Sequence, residues 1–426
     1  MKRAGLVVPW LAALLAAAWS VHAWAAPLTL EEALSAAAAP HPDWRMAEAE
    51  LAAARADRDQ AGSRQDFVLY LDGALRTGRR PDGEWKPDNV VRIVARKPLF
   101  DFGRTEGAVS AADREVNARE AVLVSVESLR RLDIMARFFD VLLADMQYAA
   151  DNEFMAVAYV SRDNAEDRVE VGQMSRPEFL KLEADYQDIR ERRNASLQRV
   201  RAARQRLAHA LNRPGQLPVE LAQPALKDNA RTVPDYDTLL PWVLANNPRL
   251  RALDAQIAAA DARIASVRSD NRPSLDAEVV GAGYSRESTT RDEISAGLVL
   301  TVPLYQGARV DSREAREHAL RQRLQAEREK AQFELADTLL ASLQEVEWLR
   351  DTGRAAADKQ IEYRDWALER ARAEYELEMK TTLGTSMAET QLAQLRRKQV
   401  EYRLALALAR IEALSGGRLP PSGDKP

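Results

Sequence analysis

The chain of 426 residues contains no cysteine, which excludes disulfides, thiolate metal sites and a lipid-modified amino-terminal cysteine. Glycine and proline are sparse, at 18 and 19 residues, and gather in a few places, so the elements between them must be long. A basic excess is missing too: 61 Lys and Arg against 65 Asp and Glu leave a formal charge of −4, which argues against a nucleic-acid partner. After the first 25 residues no apolar run reaches the roughly 20 residues that a membrane-spanning helix needs. Beyond that segment His41, His209 and His318 are the only histidines; they are scattered, and none has a second ligand-type residue at metal spacing beyond what chance gives among 65 acids. With no nucleophile elbow, P-loop or dinucleotide glycine run, the chain reads as neither an enzyme nor a holder of any metal or cofactor.

What is present begins with a secretory signal. Lys2 and Arg3 precede an apolar stretch from Ala4 to Trp19, and Ala23, Trp24 and Ala25 supply the small residues at a cleavage site, so residues 1–25 read as a signal peptide. The exported chain then says nearly the same thing twice. Pro98, Leu99, Phe100, Asp101, Phe102, Gly103 and Arg104 recur as Pro303, Leu304, Tyr305, Gln306, Gly307, Ala308 and Arg309. His41, Pro42, Asp43 and Trp44 recur as Asn247, Pro248, Arg249 and Leu250, each before an alanine-rich stretch. Such duplication describes a unit that cannot bury its own apolar face and needs copies of itself.

Each copy, 26–211 and 235–414, is expected to run helix, two strands, then a very long helical hairpin. Thr29 and Glu32 have capping-box spacing and start a helix expected to reach about Gly62. From Gln65 to Thr77 the period becomes two, with Phe67, Leu69, Leu71 and Leu75 opposite Tyr70, Asp72 and Arg76. Residues 78–88 read as a turn, and Val91, Ile93 and Ala95 alternate with Arg92 and Arg96 in a returning strand. Past Gly103 no proline occurs until Pro177, and Leu129, Leu132, Met135, Phe139, Leu142 and Met146 recur at steps of three or four. Gly172 to Pro177 reverses the chain into a helix whose stripe includes Leu182, Tyr186, Ile189, Val200, Leu207 and Leu211. Asn212 to Pro234 holds four prolines and reads as the linker. The second copy repeats the order: a helix to about Asp270, a strand Pro273 to Tyr284, a turn from Glu287 to Arg291, and a strand with Ile294, Ala296, Leu298, Leu300 and Val302 alternating. A helix from Gly307 to Glu378, a break at Lys380 to Gly384 and a return helix to Leu414 follow, and residues 415–426 read as a disordered tail.

An exported chain with amphipathic strand pairs and no spanning helix fits an outer-membrane barrel, since only closed barrels satisfy every backbone group in lipid without being helical. Four strands cannot close one; about eight are needed, so copies must pool strands, two giving about eight and three about twelve. At this point the chain resembles the TolC family of outer-membrane efflux proteins. The matching residues are Leu28 to Leu34 (LTLEEAL), the start of the second copy at Asn247 and Pro248, both strand-to-helix corners (Pro98 to Gly103 and Pro303 to Gly307), and Val171 and Gly172 at the first helix break. The resemblance implies a fold mainly α with a β-barrel portion, in which long antiparallel coiled-coil hairpins form a periplasmic tunnel and each chain lends four strands to a shared twelve-stranded barrel. It implies a homotrimer in outer-membrane lipid that conducts solutes exported by an inner-membrane transporter through a periplasmic adaptor protein. The same architecture serving type I protein secretion is the first alternative, and a periplasmic adaptor the second.

Candidate residues follow from both lines. Phe100, Phe102 and Tyr305 lie where strands give way to helices, the level at which aromatic rings anchor a barrel to the inner lipid interface. Asp72, Arg76, Arg92 and Arg96, opposite the apolar faces, are expected to line a water-filled lumen. The resemblance implies adaptor contact at Val171, Gly172 and Gln173, and a gate pair between Glu178 and Lys380. The second break departs from the family: Leu377, Glu378 and Met379 stand where a glycine is usual. Gly384 and Met387 stand where relatives place paired aspartates, so no acidic ring is expected there.

Overall fold

The computed structural model describes residues 27–79, 83–217, 220–286, 291–377 and 383–420. The signal segment, Glu378, Met379, Lys380 and most of the turn from Glu287 to Arg291 lie outside them. In chain order the elements are α1 (Leu30–Ser35), α2 (Pro42–Gly62), β1 (Val68–Ala74), β2 (Thr77–Arg79), β3 (Trp85–Pro87), β4 (Val90–Phe100), α3 (Arg104–Glu170), α4 (Arg176–Ala210), α5 (Tyr236–Asn246), α6 (Pro248–Arg268), β5 (Ser274–Tyr284), β6 (Ile294–Thr301), α7 (Arg309–Trp348), α8 (Arg354–Glu376) and α9 (Leu383–Leu414). They divide between two compact units, each drawing on both copies of the repeat.

The sheet unit comprises residues 41–129, 233–343 and 411 onward. Its four strands pair antiparallel in the order β1-β4-β5-β6, and β2 pairs with β3 in a separate ribbon. The ribbon occupies what reads from sequence as a turn at 78–88; Trp85–Pro87 continues the hairpin because Thr77 stays opposite Pro87. The expected single helix from Thr29 to Gly62 is instead two, since Pro42 has no amide to offer and begins a new helix at its first position. His41 caps that helix, its Nδ1 accepting from Asp43 N at 3.2 Å. Asn247 does the same for Pro248, accepting from Arg249 N at 3.0 Å and Leu250 N at 3.3 Å. The duplication therefore extends to the caps. Both strand-to-helix corners turn on a glycine in the left-handed region, Gly103 at φ +88° and Gly307 at φ +64°, where a Cβ would be strained. Just past the first corner, α3 and α6 approach so closely that a Cβ on Gly107 would lie 3.0 Å from Ser266. Of the tail, the turn at Ser415 to Gly417 is anchored by Trp242, whose Nε1 donates to the Arg418 carbonyl at 2.9 Å.

The hairpin unit comprises the residues up to Pro40 together with 130–232 and 344–410. Its core gathers Ala33, Ala36 and Ala37 from the amino-terminal segment, Ile134, Phe138, Phe139, Val141 and Leu142 from α3, Ala203 and Leu207 from α4, and Tyr402 and Ala405 from α9. The stripe expected on α3 holds at Phe139 and Leu142, which are buried, but not at Leu129, which is 61% exposed, and the buried face widens to Ile134, Phe138 and Val141, because the amino-terminal segment covers a neighbouring face. The α4 stripe holds, with Val200, Leu207 and Leu211 buried. At 67 residues, α3 is about 100 Å long. The helix expected to run unbroken from Gly307 carries a π turn at Leu349–Gly353, which sequence periodicity does not announce. The linker is strapped down at two places: Leu28 bridges Leu221, and Arg350 donates to the Asn229 carbonyl at 3.1 Å.

Candidate functional site

Antiparallel register fixes the two faces of the sheet, because residues directly opposite share a face. Leu71 faces Ile93, which faces Gly281, which faces Ile294; Leu69, Ala95, Val279 and Ala296 form the next row. Apart from Lys97, which lies across from Ala277 in the row of Leu298 and donates to the Gln65 carbonyl at 2.5 Å, this face is apolar and open: Leu71 is 71% exposed, Leu298 67% and Ile294 77%. On the opposite face Asp72 lies across from Arg92 and Arg96 across from Glu278. Arg92 pairs with Asp72, and the Arg96 guanidinium donates to Glu278 at 2.9 and 2.6 Å. A sheet with exposed leucine on one side and ion pairs on the other is built to separate hydrocarbon from water. No helix among the described residues is long and apolar enough to cross a membrane.

The predicted aromatic anchors come together at one end of this sheet. A bulge after Pro98 puts Phe100 opposite Leu275, on the apolar face. Phe102 packs edge-on against Phe100 with ring centroids 4.7 Å apart, and holds a left-handed φ of 54°, costing about 1–2 kcal/mol for a residue with a Cβ. Tyr305 is 90% exposed and its neighbour Leu304 94%. Behind these rings lies a polar hub that the sequence does not single out. The Asp270 carboxylate forms an ion pair with Arg104 at 3.1 Å and accepts from Arg313, and the Asp270 carbonyl accepts from Gln306 at 2.8 Å, so both copies of the corner converge on one residue.

In the hairpin unit, Gly172 turns the chain between α3 and α4 at φ +71°, and a Cβ added there would meet nothing within 4 Å. Val171 beside it is 67% exposed, and Gln173 is exposed. Glu178 belongs to a capping box: its Oε2 accepts from Ser175 N at 3.1 Å and from Ser175 Oγ at 2.8 Å. These bonds from Ser175 hold the carboxyl below its ordinary range. Lys380, its predicted partner, lies outside the described residues. Phe179 is buried between the Arg162 and Arg176 guanidiniums, 5.7 and 5.1 Å from its ring centre, which stiffens the turn. On the second hairpin Gly384 is a contact point: a Cβ there would fall 2.5 Å from Val157 Cγ2. An aspartate at this position would have to displace the Val157 side chain, a physical reason for the departure from the family pattern. Met387 is 41% exposed.

A second feature that sequence reasoning missed is Arg130. It is 5% exposed and donates to the carbonyls of Ala37, Ala39 and Ala36 at 2.7, 2.9 and 3.2 Å, so it fastens the amino-terminal segment to α3. The available signal was a charge four residues before Ile134, on the same helix face as that apolar residue. The histidines serve caps and pairs: His41 caps α2, and His318 Nε2 lies 3.4 Å from Glu314.

Residues 239–417 match the model of the family described as outer membrane efflux protein. That match spans the second copy of the repeat, from within α5 to just past α9. No curated protein sequence matches it significantly. Among solved structures, the Campylobacter jejuni CmeC outer membrane channel superposes with a TM-score of 0.74 at 13% identity, over 93% of this chain and 87% of that one. The outer-membrane channel OprN does so with a TM-score of 0.73 at 19% identity, over 91% and 90%. The open state of the Neisseria gonorrhoeae MtrE outer membrane channel gives 0.69 at 19% identity, over 91% and 89%. At these identities the likeness is one of fold: a helical tunnel portion with a barrel portion contributed by each chain.

Proposed function

We propose that three copies of this chain close one barrel of about twelve strands, forming a passive outer-membrane conduit for solutes. An inner-membrane transporter expels those solutes, and a periplasmic adaptor connects it to the conduit. The observation that carries the reading is the four-stranded sheet, apolar on one face and charged on the other, whose outer strands β1 and β6 each have only one described neighbour. An open edge in hydrocarbon leaves amides and carbonyls unpaired, at several kcal/mol for each group. The exposed face that carries Leu71 and Leu298 meets lipid, and the Asp72–Arg92 and Arg96–Glu278 pairs face the lumen. In this reading Phe100, Phe102 and Tyr305 sit at the inner lipid interface, and Val171, Gly172 and Gln173 receive the adaptor.

Purified protein inserted into a planar bilayer is expected to give stepwise ohmic conductance, and cells lacking the chain to retain the transporter's solutes. A protein that extracts with the soluble periplasmic fraction and gives no conductance contradicts the proposal. The gate pair of Glu178 and Lys380 belongs to the same reading. Lys380→Glu is expected to raise conductance, and adding Glu178→Lys to return it to the parent level. Ser175→Ala, which breaks the cap without moving charge, separates loss of the helix cap from loss of the pair.

A further inference from the structure

The internal duplication specifies how neighbouring copies join. Gly62 and Ser63 recur at an offset of 206 as Arg268 and Ser269, which carries β1 onto β5; Pro98 recurs at an offset of 205 as Pro303, which carries β4 onto β6. Pairing inside each copy confirms both offsets independently: Leu71 faces Ile93 in the first, and their counterparts Ala277 and Leu298 face each other in the second. The chain therefore contains one junction between copies of the repeat, the β4–β5 ladder, in which Ile93 faces Gly281 and Ala95 faces Val279. The same junction made by the free edges would set β6 of one chain against β1 of the next.

We propose that β6 pairs antiparallel with β1 of the neighbouring copy in the register of the β4–β5 ladder, so that Leu298 faces Leu75 of the neighbour and Leu300 faces its Gly73. The inference rests on the proposed pooling of strands and adds to it which edges meet and at which residues. Three observations agree with it. With β1 continued one residue past Ala74 to Leu75, all four residues fall on the apolar face by strand parity, as an unbroken wall requires. Leu75 is 88% exposed and Leu300 63%, too apolar for water on a finished surface. The counterparts of the Arg96–Glu278 pair at this seam are Thr301 and the neighbour's Asp72, and Asp72 already pairs with Arg92 in its own chain. The seam thus joins through its backbone ladder and apolar contacts, with no ion pair between chains to bury or to break.

Because the natural chain has no cysteine, engineered thiols read the register directly. Cβ atoms of directly opposed residues lie about 4.5–5.5 Å apart, against about 7–8 Å on the diagonal, and a disulfide spans about 3.5–4.5 Å. Outer membranes carrying the full chain with Leu75→Cys and Leu298→Cys, oxidised with copper phenanthroline, are expected to give a ladder ending at three chains on unreduced denaturing gels, collapsed by reductant. Gly73→Cys with Leu300→Cys gives the same ladder and covers failure of the first pair to fold. The shifted pair Gly73→Cys with Leu298→Cys stays monomeric, and Ala95→Cys with Val279→Cys closes within the chain as the oxidation control. A ladder from the shifted pair alone overturns the register while leaving the assembly standing. No ladder from any seam pair, with the control closed and the complex still sized at three copies, overturns the β6–β1 seam. A protein sized at one copy overturns both the seam and the proposed conduit.

Discussion

The two copies of the repeat share order, caps and corners, yet they place charge and glycine differently. β4 carries Arg92, Arg96 and Lys97, while its counterpart β6, from Ile294 to Thr301, carries no charged residue. The difference follows position in the sheet. β4 is central, flanked by β1 and β5, so each arginine on its charged face has an acid directly across from it, in Asp72 or Glu278. β6 has a single neighbour among the described residues, so a charge there has fewer positions from which an acid could face it. The helical hairpins diverge in the same manner. Gly172 is needed for its backbone angle and stands in open space, whereas Gly384 is needed for the room it leaves beside Val157. A repeated unit therefore acquires its chemistry from its place in the finished molecule, and two residues of one type can serve opposite ends.

Substitutions can break this contrast. The largest effect is expected on the uncharged strand: Leu298→Arg, on the exposed apolar face, should cost about 2–4 kcal/mol near mid-membrane. Val299→Thr, opposite Asp276 on the other face, should stay within about 0.5 kcal/mol. Urea titration of protein folded into lipid vesicles separates the two, and equal losses would dissolve the distinction between faces. Next come the glycines. Gly384→Ala is expected to cost about 1–3 kcal/mol by overpacking and to be largely rescued by Val157→Ala. Gly172→Ala should cost about 1–2 kcal/mol through its left-handed angle, with no rescue from trimming any neighbour. Denaturant midpoints of the single and double variants in detergent decide this.

Smaller effects are expected at the built turn of the first hairpin. Ser175→Ala removes the cap bonds to α4 and should cost about 1 kcal/mol, seen as faster amide exchange in the first turn after Gly172. The smallest is a pH effect. Arg162, 2.7 Å away, holds the Glu183 carboxyl below its ordinary value, with the Gln187 amide contributing less. A carboxyl depressed in this way stabilises the fold above its unfolded pKa, and that stability is lost as pH falls through the depressed value. Glu183→Gln should flatten the pH dependence of the midpoint in that acid range and leave neutral pH little changed.

The strands and long helices could be read from sequence because both are local periodicities: alternation places Leu71 and Asp72 on opposite faces, and steps of three or four mark the α4 stripe. The repeated corners could be read because a left-handed turn demands glycine at Gly103 and Gly307. What escaped depends on contacts between distant residues. Nothing near Asp270 announces that Arg104 and Arg313 both reach it. The widening of the buried α3 face to Ile134, Phe138 and Val141 follows from an amino-terminal segment held by Arg130, nearly a hundred residues away in sequence. Pro42 is plain in the sequence, but its consequence is not a continued helix: a proline at a first helical position starts a new one, so the segment from Thr29 divides. Gly384 reads as a departure from a family pattern, and only Val157 beside it explains why. The hydroxyl of Tyr402 belongs to the same group. It is buried beside Phe139 with no hydrogen-bond partner among the described residues, and burial pushes the phenol up to about 12.

The central claim is that this sheet is a fraction of a barrel and that copies of the chain complete it. Native mass spectrometry of the complex released from outer membranes in mild detergent tests that most directly. The account predicts a single species of three copies, each beginning near Ala26. A stable species of one copy, folded and resistant to protease, would contradict it.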